Sequence, residues 1–402
     1  MNSDLRVVGA GIGGLSLALA HTRLPRGLGR AERRLVIQEK TPVLSEVGAG
    51  LQLGPNAVRH LFSWGLASEL RSVAFEPQRL IIHSLLNGEI LAQLPLAEQG
   101  RILNQYGAPY LTLRRADLQQ ILLQAVNKTG ATDLQLNQAW QPEAMAGSCV
   151  IGADGLWSSV RASVWPEAQA PKATGHVAWR ALLSQKALPP AWRSDSVRVW
   201  LGPRCHVVAY PVAAGEQLNI VAIANQKDLQ AAASTTATWD QDADLNGVRT
   251  FLLPKTPAAL LSLLEAVPAW RQWPLFDRPP VRSAADMVRG GVALLGDAAH
   301  PMRPYFAQGA AMAIEDAAEL AAALSECPVE LALSRYAQRR WERCARVQSA
   351  SERNGRIFHA SGPFGWVQKA RDASLRLFGP QLMDPAWLYG GGPGLLQSPP
   401  LN

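Results

Sequence analysis

The chain has 402 residues, of which 48% are hydrophobic and 18% charged, and its net charge is +7. This composition is ordinary for a globular protein with a large core. No run of about 18 apolar residues is present, so we expect no transmembrane helix. The arginines are scattered and belong to no recognised nucleic-acid module, so we expect no nucleic-acid partner.

The cysteines form no metal-binding pattern. Cys149, Cys205, Cys327 and Cys344 lie in neither a CxxC pair nor a histidine-spaced cluster. We therefore expect reduced thiols, no metal site and a cytoplasmic protein. The first apolar strand begins so close to Met1 that we also expect no signal peptide.

Apolar runs and helix-start signals predict a β-α-β unit followed by helices in the first third of the chain. The predicted elements are a strand over residues 5–8, a helix over 11–21, a strand over 35–37 that ends at Glu39, and helices over 56–70 and 116–126.

The remainder of the chain changes character at about residue 175. A short strand is predicted over residues 149–151, and alternating segments between 175 and 223 predict an antiparallel sheet. Residues 231–247 are small and polar, which predicts a loop. The other predictions are helices over 258–264, 308–324 and 334–358, and a disordered tail over 390–402.

The first turn carries the pattern of a dinucleotide-binding site. Gly9 permits a tight turn, Gly11 lets the backbone approach a pyrophosphate, and Gly14 lets the helix pack on the strand. Glu39 closes the second strand and can bind ribose hydroxyls. Its distance of 25 residues from Gly14 exceeds the usual ~20. The pattern predicts a dinucleotide and does not distinguish NAD from FAD.

A second segment favours FAD. Gly296-Asp-Ala-Ala-His-Pro301 follows an apolar run, and a carboxylate at Asp297 can hold the ribityl hydroxyls that NAD lacks. Pro304 should turn the chain so that a helix begins near Gly309. The N–H groups of Gly309 and Ala310 can then stabilise negative charge on reduced flavin. The alternative is an ordinary strand-loop-helix segment with a capping Asp.

Three motifs resemble the fingerprints of the class A FAD-dependent aromatic hydroxylases. They are Gly9-Ala-Gly-Ile-Gly13-Gly14, Gly152-Ala-Asp154-Gly155 and Gly296-Asp-Ala-Ala-His-Pro301. The likeness is closest to the salicylate hydroxylase and 3-hydroxybenzoate 6-hydroxylase branch. Other matching pieces are Gly48-Ala-Gly-Leu-Gln52-Leu53, Arg115-Ala-Asp-Leu118, Pro304-Tyr-Phe-Ala-Gln308-Gly309 and Trp387-Leu-Tyr389.

The resemblance implies roles for residues at matching positions. The implied cofactor-binding residues are Gly9, Gly11, Gly13, Gly14, Glu39, Lys40, Gln52, Arg115, Asp154, Gly155, Asp297, Pro304, Gly309 and Ala310. Asp154 and Gly155 would also engage NADH or NADPH. His206 and Tyr210 would face the substrate from one side of a strand, with His206 as a proton relay, and Gln308 would lie beside flavin and substrate.

Each role has a simpler alternative. Arg115 can form a salt bridge to Asp117, and His206 can be a hydrogen-bonded strand histidine. Tyr210 can be a packing residue, and Gln308 can simply begin a helix. These alternatives stay open at the level of sequence.

Three features depart from the family pattern. Lys40 stands where the family often has Arg after the ribose-binding acid. Only 33 residues separate Leu118 from Gly152, and residues 133–140 are the one good strand candidate there. The supporting sheet is therefore expected to be trimmed on the adenine side. Arg303 occupies a loop position that is usually apolar in the family, and it can be solvated, bind an acidic substrate or bind the nicotinamide cofactor.

The fold implied is α/β: a Rossmann-type FAD-binding domain with an inserted antiparallel β-sheet substrate domain and C-terminal helices. We predict a discontinuous FAD-binding domain, a two-segment substrate domain, a helical region and a tail. The FAD-binding domain spans residues 1–75, 100–170 and 281–325, and the substrate domain spans residues 76–99 and 171–280. The helical region spans residues 326–389, and the tail spans residues 390–402.

The implied activity is that of an NAD(P)H-consuming monooxygenase. FAD would be reduced by NADH or NADPH, and dioxygen would form a flavin C4a-hydroperoxide that hydroxylates a phenolic acid such as a hydroxybenzoate. The alternatives are an epoxidase or hydroxylase of a non-phenolic secondary metabolite, and a catalytically silent flavin-binding protein. We expect a monomer or homodimer whose partners are the small aromatic substrate, dioxygen and NAD(P)H.

Overall fold

The computed structural model describes residues 4–23, 34–44, 50–142, 149–225, 241–250, 252, 256–362 and 365–392. The strands are β1 Leu5–Val8, β2 Leu35–Gln38, β3 Gly50–Leu53, β4 Arg79–Ser84, β5 Ile90–Pro95, β6 Leu111–Arg114, β7 Thr132–Gln135, β8 Cys149–Gly152, β9 Lys172–Ser184, β10 Val197–Gly202, β11 Cys205–Val212, β12 Gln217–Asn225, β13 Gln241–Ala243, β14 Trp270–Asp277, β15 Val288–Arg289 and β16 Val292–Leu294.

The helices connect and cover these strands. They are α1 Ile12–Arg23, α2 Pro55–Ser63, α3 Ala67–Val73, α4 Arg101–Tyr106, α5 Arg115–Thr129, α6 Ser159–Val164, α7 Leu245–Arg249, α8 Ala258–Glu265, α9 Gly309–Glu326, α10 Val329–Phe358, α11 Trp366–Met383 and α12 Ala386–Tyr389.

A parallel sheet forms the first layer, in the order β15-β16-β8-β1-β2-β7. Only the β15–β16 pair is antiparallel. The central strands are apolar because helices cover both of their faces, so Leu5, Val7 and Ile151 are buried. Helix α1 packs against α9 and α5. The predicted β-α-β unit is confirmed.

An eight-stranded sheet forms the second layer, in the order β13-β14-β9-β12-β11-β10-β4-β5. Its neighbours are antiparallel except for β4 and β10. The antiparallel sheet predicted between residues 175 and 223 is confirmed, and β14 at its far side was not predicted. One face buries Trp179, Val207 and Ile220, which leaves the alternate residues of the same strands for the opposite face.

Three local predictions need correction or restriction. The single helix predicted over residues 56–70 is two helices, α2 and α3, because the chain turns at Gly65 with a φ of +84°. Within the predicted loop 231–247, β13 and the start of α7 are regular structure. Residues 231–240 of that loop and residues 393–402 of the predicted tail lie outside the described residues.

The predicted strand over residues 133–140 is shorter than expected. It is β7, which pairs with β2 at the edge of the parallel sheet. The C-terminal helices cover both layers, since α10 packs along α9 and α11 packs on β5. The α/β fold class is as predicted, and the exact domain boundaries stay a prediction. No helix in the described ranges is long and apolar enough to cross a membrane.

Candidate active site

A cavity of about 250 Å³ lies between the two sheets. The loops that follow β1, β8 and β16 form one wall, and the face of β9, β11 and β12 forms the other. Twelve of the predicted site residues line this cavity: Gly11, Gly13, Gln52, Arg115, Gly155, His206, Tyr210, Asp297, Pro304, Gln308, Gly309 and Ala310. The other five, Gly9, Gly14, Glu39, Lys40 and Asp154, are not among the lining residues.

The first glycine turn is shaped by close backbone approach. Gly9 has a φ of +104°, and a Cβ at Gly14 would clash with the carbonyl oxygen of Gly9. A Cβ at Gly11, in contrast, would meet no atom within 4 Å. The turn therefore needs Gly9 and Gly14 for its own geometry, whereas Gly11 leaves open space at the start of α1.

Glu39 is fastened to this turn. One carboxylate oxygen accepts a hydrogen bond from the N–H of Ala10 at 2.9 Å, and the other accepts from Thr41 N and Oγ1, both at 2.9 Å. The acid at the end of β2 is thereby fixed beside the start of α1. Lys40, the next residue, is exposed.

Asp154 caps a helix. Its Oδ2 accepts hydrogen bonds from Ser159 N at 2.7 Å, Ser159 Oγ at 2.9 Å and Val160 N at 3.2 Å, at the start of α6. This contact fixes the loop that carries Gly155 to the cavity.

Asp117 forms its salt bridge with the arginine that directly precedes Arg115. Arg114 makes a two-pronged contact with Asp117, at 2.8 and 2.6 Å. Arg115 lines the cavity and acts on Asp297, whose pKa burial raises and Arg115 lowers, with a net upward shift. Asp297 is exposed within the cavity although protein surrounds it on most sides.

A buried carboxylate holds the Asp297 loop in place. Asp316 of α9 accepts hydrogen bonds from Gly296 N at 2.9 Å, His300 Nε2 at 2.6 Å and Arg340 Nε at 2.7 Å. Burial would raise the pKa of Asp316, but His300 and Arg340 hold it well below its ordinary value. The Sγ atom of Cys344 lies 3.8 Å from Oδ1 of the same carboxylate. N–H donors already occupy the oxygens of that carboxylate.

The adjacent carboxylate joins this network to the cavity. Glu315 accepts hydrogen bonds from Arg340 at 2.6 Å, from Arg343 at 2.7 Å and from Asn56 at 2.7 Å. Asn56 also donates to Gln308 Oε1 at 3.1 Å. Gln308 is buried and stands one residue before α9, so it both begins the helix and lines the cavity.

Helix α9 begins at Gly309, as the position of Pro304 in the sequence predicts. A 3₁₀ turn over Pro304–Phe306 is followed by Ala307 with a φ of +50°, and the helix starts at Gly309. Gly309 and Ala310 therefore present the positive end of α9 to the cavity. The start of α1 approaches the same space, so two helix N-termini meet there.

His206 and Tyr210 share one face of β11, as predicted, with Val208 between them. His206 is 2% exposed, and its Nδ1 lies 2.7 Å from Nε2 of His359. Burial, with a further effect of His176, lowers the pKa of His206 to about 3. His206 is thus both a hydrogen-bonded strand histidine and a residue that lines the cavity.

Tyr210 packs closely against Gly50 at the start of β3. A Cβ at Gly50 would clash with its ring, and burial raises its pKa above the ordinary value. Gln52 accepts a hydrogen bond from Tyr110 at 2.7 Å. Tyr210 thus packs against Gly50, forms a hydrogen bond with Gln52 and lines the cavity.

Two arginines line the cavity near the eight-stranded sheet. Arg303 donates a hydrogen bond from Nε to Asp277, so the structure pairs it with a carboxylate. The guanidinium of Arg180 lies 3.8 Å from the centre of the Trp273 ring. Both side chains place positive charge beside an otherwise apolar wall of Val208, Val221 and Ile223.

These residues fit a flavin dinucleotide. The open space before Gly11 and the start of α1 suits a pyrophosphate, and Glu39 suits a ribose. Asp297 is a carboxylate acceptor inside the cavity, close to the positive end of α9. These donors and acceptors therefore match the pyrophosphate, the flavin ring and the ribityl hydroxyls of FAD.

The comparison with known families decides the assignment. A family model described as FAD binding domain matches residues 143–351, just over half of the chain. A curated relative, 3-hydroxybenzoate 6-hydroxylase 1 of Aquipseudomonas alcaligenes, is 35% identical over 90% of this chain and 91% of its own length. The chain belongs to the FAD-dependent aromatic monooxygenases.

Solved structures show the same fold for this monooxygenase. Klebsiella pneumoniae HpxO complexed with FAD and uric acid aligns with a TM-score of 0.77 at 22% identity, over 97% of both chains. A salicylate hydroxylase substrate complex aligns with a TM-score of 0.74 at 22% identity, over 98% of this chain and 99% of that one. The recognised family and its flavin cofactor are confirmed.

Sequence reasoning missed several residues around the monooxygenase cavity. Arg180, His176 and His359 were not predicted, and Tyr305 was quoted only as part of a motif. His359 comes just after the last turn of a long amphipathic helix, where a single histidine has no distinguishing pattern. Only the tertiary contact with His206 reveals it.

Proposed function

We propose that this monooxygenase hydroxylates a phenolic acid such as a hydroxybenzoate, with NADH or NADPH as electron donor and dioxygen as oxidant. The observation that carries the proposal is the position of His206. It faces a largely apolar cavity across from Asp297 and the start of α9. The hydroxybenzoate named in the bacterial relative, which is 35% identical, supports the substrate class.

The cavity wall formed by the loops after β1, β8 and β16 would supply the contacts to the cofactor. Gly11 and Gly13 would admit the pyrophosphate, Glu39 the ribose, and Asp297 the ribityl hydroxyls. The N–H groups of Gly309 and Ala310 would stabilise negative charge on the flavin ring. Bound FAD supplies the redox chemistry, which accepts a hydride from NAD(P)H and activates dioxygen.

The protein's own residues would bind and activate the substrate. His206 would accept the phenol proton, because the electron density that the phenolate releases into the ring favours hydroxylation ortho or para to the oxygen. Val208, Val221 and Ile223 would exclude water from the reacting ring. Arg180, stacked on Trp273, would attract the carboxylate of the acid.

The test is oxidation of NADH and NADPH by the purified yellow protein with a panel of hydroxybenzoates. We expect a hydroxylated product from at least one, identified by mass spectrometry. The variant His206→Ala should retain FAD and oxidise NAD(P)H but lose product by about 100-fold, because general-base catalysis contributes 10²–10⁴. Electrons would then appear as hydrogen peroxide.

The variant His83→Ala is the matched control. His83 is 6% exposed but stacks on Trp200 and is absent from the cavity lining, so its loss should leave the ratio of product to NAD(P)H unchanged. An unchanged ratio in His206→Ala would contradict the role of His206. Oxygenation of only non-phenolic compounds, or no NAD(P)H oxidation with any aromatic, would contradict the proposed function.

A further inference from the structure

A cluster of aromatic and imidazole rings lies on the cavity face of the eight-stranded sheet, beside His206. His206 lines the cavity on β11, His176 lies on β9, and His359 directly follows α10. Ring centres are 5.0 Å apart for His206 and His359 and 5.0 Å apart for His176 and His359. Tyr305 completes the cluster, 5.4 Å from His359. The proposed function uses only the first of these residues.

The contact between His206 and His359 joins two ring nitrogens. Nδ1 of His206 and Nε2 of His359 are 2.7 Å apart, so one of them must carry the hydrogen that bonds them. This bond leaves Nε2 of His206 for the cavity and Nδ1 of His359 at the opposite end of the pair. Two imidazoles in series thus have one remaining nitrogen at each end.

The far end of the pair has unused hydrogen-bonding capacity. Within the described ranges, Nδ1 of His359 and the hydroxyl oxygen of Tyr305 are buried without a hydrogen-bond partner. An unpaired buried atom of this kind destabilises the fold. Packing alone gives no reason to place both beside a buried imidazole pair, whereas a path for protons requires donors and acceptors there. His359 is also partly exposed, unlike His206.

We propose that His206 and His359 form a two-histidine proton relay, which carries the phenol proton of the substrate from the cavity to the end of the ring cluster at Tyr305. The inference rests on the proposed function. The phenol O–H bond breaks as Nε2 of His206 gains the proton, and the proton on Nδ1 of His206 passes to Nε2 of His359. Nδ1 of His359 is buried although the residue is partly exposed, and it then releases its proton to a water molecule admitted beside Tyr305. The reverse transfers reprotonate the product and restore both tautomers.

The electrostatic surroundings keep the pair neutral. Burial and then the His206 ring lower the pKa of His359 to about 2, and burial also lowers that of His206. The charged and titratable groups around the pair are His176, Tyr305, Asp277, Arg303, Arg371 and Asp372. A pair of neutral imidazoles passes a proton on without retaining a charge, as a relay requires. His359 acts through His206 and is a positioning residue.

The relay is tested by proton release from the FAD-bound enzyme. The enzyme is mixed with 3-hydroxybenzoate in weakly buffered solution containing a pH indicator dye, and the dye is followed by stopped-flow absorbance. His359→Gln retains a hydrogen-bonding group beside His206 but cannot exchange protons between two nitrogens. We expect its proton-release rate to fall at least about tenfold, with the Kd for 3-hydroxybenzoate and the FAD content unchanged.

Three comparisons separate the outcomes. His83→Gln, which removes a buried histidine elsewhere, should release the proton as fast as wild type. Added imidazole should restore the rate in His359→Ala, which a purely structural role would not allow. Proton release in His359→Gln at the wild-type rate would overturn the relay alone. A wild-type enzyme that hydroxylates 3-hydroxybenzoate without releasing a proton would likewise overturn the relay, whereas a wild-type enzyme that forms no hydroxylated product from any hydroxybenzoate would contradict the proposed function.

Discussion

Gly11 and Gly14 belong to the same turn but have different surroundings. A Cβ at Gly14 would clash with the backbone of Gly9, whereas a Cβ at Gly11 would meet no protein atom within 4 Å and would project into the space at the cavity. Gly14 is required by the fold of the turn. Gly11 is required only if a ligand occupies that space.

Alanine at each position should therefore have a different effect. Gly14→Ala should lower the melting temperature of the FAD-free protein, because backbone atoms must move. Gly11→Ala should leave that temperature unchanged but weaken FAD binding at least about tenfold, or about 1.4 kcal/mol. Differential scanning fluorimetry and flavin titration measure the two effects. Wild-type FAD affinity in Gly11→Ala would place the pyrophosphate elsewhere.

Single residues could be predicted where a local pattern surrounds them. Glu39 and Asp297 each follow a short apolar strand, and the strand end marks the position of the acid. Arg115 was considered as a partner of Asp117, although Arg114 stands three residues before Asp117, at helical spacing, and forms the salt bridge. Their roles were decided by the direction in which each side chain leaves the start of α5.

Helices α9 and α10 are joined by a buried network of charges. Arg340 is fully buried and pairs with Glu315 at 2.6 Å and Asp316 at 2.7 Å. Asp316 in turn holds the N–H of Gly296 and the ring of His300. The network therefore connects a C-terminal helix to the loop that carries Asp297 into the cavity.

Removal of the buried cation should destabilise the whole protein. Arg340→Met leaves two buried carboxylates with one partner fewer, so the free energy of unfolding should fall by about 3–5 kcal/mol. The control is Arg335→Met. Arg335 pairs with Glu326 through side chains that are 35% and 44% exposed, and its loss should cost less than about 1 kcal/mol. Urea unfolding measures both, and equal losses would contradict the proposed importance of burial.

Elements could be predicted when their periodicity was local. The strand β1, the helix α1 and the sheet strands between residues 175 and 223 were found from alternation and helix signals. The helix over 56–70 was predicted as one, because its apolar spacing continues through Gly65, where the chain in fact turns. Strand β14 was missed, since its pairing with β9 lies about 100 residues away in sequence.

The molecule as a whole buries several histidines in neutral form. Burial is the largest cause of a lowered pKa at His60 and His176, to about 4, at His206, to about 3, and at His359, to about 2. In the unfolded chain each would titrate near 6.5. Below that pH the unfolded state binds more protons than the folded state, so stability is lost as pH falls.

We therefore expect the free energy of unfolding to decrease between pH 6.5 and 4, by up to about 1.4 kcal/mol per pH unit for each histidine. His300 has the opposite sign, because Asp316 raises its pKa; its contribution is complete below pH 6.5 and cannot cancel this loss. Urea unfolding at pH 4, 5, 6 and 7 measures the slope. His60→Asn should reduce it, and a flat profile in wild type would contradict burial of neutral histidines.

The sequence by itself determined the dinucleotide turn, the strand ends that carry Glu39 and Asp297, the family and the sheet that bears His206. These features are set by residues close together in the chain, where backbone geometry imposes a recognisable spacing. Only the tertiary structure decided the partners of those residues. His206 meets His359 across 153 positions, and Gly296 meets Asp316 from another element, because side-chain contacts between distant segments depend on packing and leave no periodic trace in the sequence.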